Sequence, residues 1–160
     1  MQREFDLVEK VWKVPPERFK SNATHLVQLS EQASAIVEVL PRFTNGDHLF
    51  STTFGKKPVS GFSKAKARLD KMMTEDLGSS PAAWVIHDIR RTVRTRLASL
   101  GVPDMVAEMV IGHGRKGLQR VYDQHGYEDE MREALEQWAG KLRSIVEPPP
   151  ANVVELRVKA

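Results

Sequence analysis

A mainly helical α+β domain, with a small antiparallel sheet near its N-terminus packed on a helical bundle, is the fold this sequence predicts. Three observations carry the prediction. Short runs rich in β-forming residues, 5–8, 11–14 and 25–29, lie together before residue 30, separated by turn-like segments. From residue 31 onward apolar residues recur at helical spacing, stretch after stretch. Glycine and proline fall between those stretches, where chain breaks are needed.

In order, residues 5–8 and 11–14 read as strands joined by a tight turn at Glu9-Lys10. Pro15-Pro16 prevents further regular pairing. Residues 17–24 are polar and turn-like, placing Lys20 on a hairpin or loop, and 25–29 form the next strand. Ser30 is the expected N-cap of a helix over 31–40, with Ala33, Ile36, Val37 and Leu40 as its apolar stripe. A loop follows, with 48–50 as a short strand and 53–58 as loop again. Ser60 or Ser63 caps a helix to about residue 74, whose apolar residues are Phe62, Ala65, Leu69, Met72 and Met73. After a Gly-Ser-Ser-Pro loop comes the central helix, 87–100, with Ile86, Ile89, Val93, Leu97 and Leu100 on one face and Gly101 as its stop. Pro103 opens a helix to about residue 111, which Gly112-His113-Gly114 breaks. A short helix at 117–123 would carry Tyr122. The longest helix, 127–146, shows a stripe of Met131, Ala134, Leu135, Trp138, Leu142 and Ile145, and three prolines end it. Residues 153–158 read as an added strand or a docking tail. The chain thus divides into a domain over 1–147 and a proline-started tail over 148–160.

Composition excludes several classes. With no cysteine there are no disulfides or thiolate metal sites. No apolar run approaches the roughly 20 residues of a membrane helix, and the polar N-terminus is no signal peptide. The net charge of +3 permits nucleic-acid binding without arguing for it. Its distribution is more informative. Residues 55–71 hold Lys56, Lys57, Lys64, Lys66, Arg68 and Lys71 against Asp70 alone, and 87–96 hold Arg90, Arg91, Arg94 and Arg96 against Asp88. Acids dominate 123–147. Basic charge is therefore concentrated mid-chain, and Lys64, Lys66, Arg91 and Arg94 are the candidates for contacts to a polyanion.

The candidate chemistry sits in that same stretch. His87 and Arg90 form an H-x-x-R pair, Gly112-His113 follows, and Tyr122 lies nine residues after that histidine. On the central helix His87, Arg90 and Arg94 share a face at i, i+3 and i+7. Cations, imidazoles and one phenol are what attack on a phosphodiester needs when no metal takes part. Arginine suits the phosphate because its planar fork binds two oxygens and keeps its proton. Arg90 is the first choice for that role. His87 can hydrogen-bond the phosphate or take the tyrosine proton, His113 can supply a second donor, and Tyr122 is the nucleophile. A flexible lysine such as Lys20 can protonate the leaving 5′ oxygen. Taken singly, each residue has an ordinary structural role open to it. Their joint occurrence, in one order at close spacing, points to chemistry.

The run H-D-I-R-R-T, then I-G-H, then Tyr122 resembles the signature of the tyrosine recombinases, the phage integrases. W-K-V-P-P-E-R-F-K followed by H-L-V-Q-L-S resembles the β-hairpin of prophage-type integrases, which carries the catalytic-lysine role onto Lys20. S-G-F-S-K-A-K-A-R-L-D and Y-E-D-E-M-R-E-A-L-E-Q-W are similar to that subgroup too. The resemblance implies the integrase catalytic-domain fold. It also implies cleavage and rejoining of double-stranded DNA attachment sites through a 3′-phosphotyrosine, without metal or cofactor. It further implies a homotetramer on DNA, with no membrane association, in the cytoplasm of a bacterium or of a phage-infected cell. Tyr122 has the family's distance from His113, whereas Tyr127 reads as the packed start of the long helix.

The family carries a further catalytic arginine upstream of the hairpin, in a T-G-x-R-x-x-E context. Neither Arg3 nor Arg18 has that context. The chain therefore reads as the C-terminal part of an integrase, inactive or nearly so on its own. The rival readings are a degenerate DNA-binding module without chemistry and, far behind, a metal-dependent hydrolase built on His25, His48, His87, His113 and His125. The histidines lack H-x-H or H-E-x-x-H spacing. A type IB topoisomerase shares the chemistry, but the hairpin and C-terminal matches favour an integrase.

Overall fold

The computed structural model describes residues 2–19, 22–113, 126–148 and 150. Three strands, β1 (Phe5–Asp6), β2 (Val11–Val14) and β3 (His25–Gln28), form an antiparallel sheet in the order β1-β2-β3. Phe5 pairs with Trp12, and Val14 with His25. Five α-helices follow among the described residues: α1 (Glu31–Glu38), α2 (Phe62–Leu77), α3 (His87–Ser99), α4 (Asp104–Val110) and α5 (Glu128–Val146). The protein is a mainly helical α+β domain, as its sequence predicts.

The first hairpin turns earlier than its residue types suggest. Leu7 and Val8 leave the strand because the Asp6 carboxylate accepts from the Glu9 N–H at 3.1 Å, closing a turn that ends with Lys10 at a φ of 52°. Trp12 stacks on Phe5 with ring centroids 5.3 Å apart, and its indole N–H donates to Glu4 at 3.1 Å. Residues 48–50, expected as a strand, form none. The His48 N–H bonds to the Gly55 carbonyl at 3.1 Å and the Val59 N–H to the Phe50 carbonyl at 2.9 Å, which closes a loop around buried Leu49.

Ser30 caps α1 as expected, its hydroxyl accepting from the Ala33 N–H at 3.3 Å. A second cap comes from far along the chain. The Glu136 carboxylate of α5 accepts the Glu31 N–H at 2.7 Å, so an anion sits at the positive end of α1. Arg132 of α5 donates to the Glu9 carbonyl at 3.0 Å. The longest helix thereby ties the hairpin and α1 to the bundle.

The core lies where α3, α4 and α5 meet. Leu97, Val106, Ala107, Met131 and Ala134 are buried together, with Val93, Tyr127 and Trp138 packed around them. Three apolar stripes are buried over less of their length than periodicity suggests. Ile36 of α1, Ile89 of α3 and Leu142 and Ile145 of α5 are exposed. Helix α2 has no buried residue, and Phe62, Leu69 and Met72 face solvent. Neither Ser60 nor Ser63 caps it. Gly61 occupies that position with a φ of 82°, a conformation that suits a residue without Cβ. A polar clasp holds α2 to the segment before α3: Asp70 accepts from the Trp84 indole at 2.9 Å and from Lys66 at 2.6 Å, with the Lys66 ammonium 4.7 Å from the Trp84 ring centre.

Candidate active site

The site is built on the turn over residues 111–113 that ends α4. Gly112 has a φ of +69°, and its N–H bonds to the Met109 carbonyl at 2.8 Å. The His113 N–H reaches the Glu108 carbonyl at 2.9 Å. A glycine is favoured here by its backbone conformation. The φ is left-handed, and the turn lies in contact range of two side chains: a Cβ placed at Gly112 would be 3.4 Å from His25 Nε2 and 3.6 Å from the Phe19 ring, ordinary packing distances. Phe19 and His25 stack with centroids 4.2 Å apart. The two ends of the segment that contains Lys20 are thus set against the turn that presents His113.

Arg90 reaches the same turn from α3, its guanidinium donating to the Ile111 carbonyl. It is half-buried. His87 lies one helical turn earlier and is exposed. At the start of α3 the Asp88 carboxyl is held below its ordinary value by the Val85 N–H and then by Arg91. The Asp88 carboxylate accepts from Val85 at 2.9 Å and from Arg91 at 2.8 Å. The structure therefore brings together Arg90, His113 and the flanks of the Lys20 segment, with His87 beside them on α3. Lys20 and Tyr122 themselves lie outside the described residues, as do His125, the short helix expected at 117–123 and the strand expected at 153–158.

The four residues expected to meet a polyanion divide. Lys64 and Arg91 are exposed, and Arg91 pairs with Asp88 while keeping 72% of its side chain open. Lys66 is held in the Asp70–Trp84 clasp. Arg94 turns towards α4, where it donates to Glu108 at 2.6 Å and to Asp104. Sequence reading places Arg94 on the His87–Arg90 face and passes over Glu108. No local signal reveals that pair, because its members sit 14 residues apart on different helices.

Glu108 is the junction of this network. Its second oxygen lies 2.5 Å from His113 Nδ1. The Arg94 guanidinium, and after it His113, hold the Glu108 carboxyl below its ordinary value of 4.5. Such a group adds stability that is fully present above its unfolded value and is lost as pH falls through the lower folded one. The urea midpoint of the wild-type chain is expected to fall as pH drops below 4.5, and Glu108→Gln to flatten part of that slope. The remainder belongs to Glu4, Asp6 and Asp88, whose carboxyls are also held low. Parallel curves for the two proteins would refute the assignment.

Among the described residues no group of three or more His, Cys, Asp or Glu is placed to hold a metal ion, and no helix is long and apolar enough to cross a membrane.

The chain belongs to the phage integrase family, whose pattern matches residues 2–129. It is similar to the prophage integrase IntA of Escherichia coli K12, 27% identical over 143 residues, which cover 88% of this chain and 33% of that protein. It is also similar to the prophage integrase IntZ of the same organism, 28% identical over 138 residues, 83% of this chain and 32% of that protein. The chain thus spans about a third of the length of these curated relatives. No solved structure matches it.

Proposed function

We propose that this chain carries most of the catalytic site of a site-specific DNA recombinase that integrates or excises mobile DNA. The Tyr122 hydroxyl oxygen attacks a backbone phosphorus. The phosphorus–5′-oxygen bond breaks, a 3′-phosphotyrosine forms and a 5′-hydroxyl leaves. The tyrosine proton passes to a base, for which His87 stands available on α3, and Lys20 supplies the proton that the 5′-oxygen takes up. Arg90 and His113 donate to the non-bridging oxygens, where charge grows in the transition state. Rejoining reverses these steps with another 5′-hydroxyl, so neither ATP nor metal is consumed. Lys64 and Arg91 meet the duplex backbone. The working assembly is a homotetramer on two double-stranded attachment sites, acting in the bacterial cytoplasm.

One observation carries this reading: the 111–113 turn collects Arg90, His113 and both flanks of the Lys20 segment at one place. A second observation favours a weaker role for the chain by itself. The family uses two phosphate-binding arginines. Arg18, which lies beside the hairpin, is already held by both oxygens of Glu4, at 2.7 and 2.8 Å. The chain alone is then a DNA-binding module with little or no cleavage.

A denaturing gel separates the two. The chain is incubated with nicked duplex carrying an attachment site, alone and joined to the upstream segment of a full-length relative. A covalent adduct only from the joined protein is the expected result. An adduct from the chain alone would overturn the inactivity. DNA bound by both in a salt-dependent gel shift, with no adduct from either, would leave only the binding module.

A further inference from the structure

The recombinase reading gives His113 a donor role but does not say what holds its ring. An imidazole in a turn can rotate, and its two nitrogens are not equivalent. Here the ring is not left to itself. The contacts run Asp104, Arg94, Glu108, His113, from an exposed acid on α4 through α3 to the catalytic turn. Arg94 keeps only 24% of its side chain exposed, and Glu108 35%.

The hydrogen-bond inventory of these groups leaves little freedom. A guanidinium only donates, and an ionised carboxylate only accepts. Glu108 Oε1 is taken by Arg94 Nε at 2.6 Å, so Oε2 is the oxygen that faces His113. With a carboxylate 2.5 Å away, Nδ1 must carry the hydrogen. Nε2 is then the nitrogen left to meet anything outside the network.

We propose that Glu108 is a positioning residue for His113: locked by Arg94, its carboxylate holds Nδ1–H, so that Nε2 takes up a solvent proton when DNA binds and donates it in a hydrogen bond to a non-bridging oxygen of the phosphate. The second half of this proposal rests on the recombinase reading; the first half does not. On it, Arg94 acts on DNA only through Glu108 and His113.

The test is long-range proton–nitrogen correlation NMR on the whole chain labelled with ¹⁵N-histidine. His113 is assigned by the signal lost in His113→Gln. In the wild-type protein His113 is expected to show the Nδ1–H tautomer. Glu108→Gln should invert it. The amide must offer its oxygen to the donor-only Arg94, which turns its NH₂ towards Nδ1 and forces that nitrogen to accept. Backbone amide dispersion checks that the variant is folded. Should the variant fail to fold, the wild-type tautomer still decides: Nε2–H on His113 overturns the proposal, as does an unchanged tautomer in a folded Glu108→Gln.

Adding duplex DNA reads the second half. The wild-type Nε2 resonance is expected to move on binding to the position of a protonated nitrogen, and that movement to be lost in Glu108→Gln, whose Nε2 already carries hydrogen. Binding seen at Arg91 and Lys64 amides with His113 Nε2 unmoved would overturn the phosphate-facing role while leaving the recombinase reading intact. No amide movement anywhere on adding DNA would defeat the recombinase reading itself and remove that role with it. The tautomer result would stand apart.

Discussion

Replacing Arg90 with alanine is expected to lower the yield of covalent protein–DNA adduct about 100- to 1,000-fold in an integrase that contains this chain. Two losses combine in that number. The phosphate oxygens lose a bidentate cation at the point where transition-state charge grows, and the Ile111 carbonyl loses its donor, so the turn bearing His113 is less firmly held. Lysine should not restore the yield, because an ammonium cannot hold the carbonyl and the phosphate in a planar fork together. The loss of one phosphate contact should also reduce the salt slope of DNA binding by about one unit. Tyr122→Phe is the reference variant, since without the hydroxyl no adduct forms while DNA binding stays. An Arg90→Ala protein with near wild-type adduct yield would show that Arg90 only braces the turn. The urea midpoint measured alongside separates bracing from catalysis.

Leu97→Ala carries the largest expected cost in stability, about 2–5 kcal/mol. Leu97 is fully buried, and it sits among Val106, Ala107, Met131 and Ala134 at the junction of three helices. Alanine would leave a cavity that three helix backbones, packed from different directions, cannot easily collapse to fill. Against a typical domain stability of about 5–15 kcal/mol, that is a large share. Leu97→Met, which keeps the volume, should cost less than about 1.5 kcal/mol. Urea unfolding of the three proteins decides the matter, and a loss under 1 kcal/mol for the alanine variant would move the core elsewhere. The same helix carries Arg90 and Arg94, so the alanine variant should also broaden the His113 signals while leaving α2 unaffected.

What was legible in the sequence was local. Ser30 before a helical run signals an N-cap, because its hydroxyl reaches an N–H three residues on. Gly101 after Leu100 signals the end of α3, and its φ of 81° shows the left-handed stop. The hairpin, the break at Gly112-His113 and the long α5 follow from the same kind of evidence. The integrase resemblance was legible as well, because it rests on residue order along the chain. Periodicity was a weaker guide to burial. It fixes which residues share a helix face but not how far a neighbour covers that face, so Ile89, Leu142 and the whole of α2 emerge exposed.

The sequence by itself determined the three strands and five helices of the described residues in their order, the Ser30 cap, the stops at Gly101 and Gly112, and the family, since each depends on contacts within a few positions or on residue order. Only the tertiary structure decided where the residues of the candidate site meet. It set Phe19 and His25 against Gly112, aimed Arg90 at the Ile111 carbonyl and joined Arg94 through Glu108 to His113. The physical reason is that these contacts link separate elements. Their formation depends on how helices with similar stripes dock, and the packing of Leu97 against α4 and α5 settles that docking.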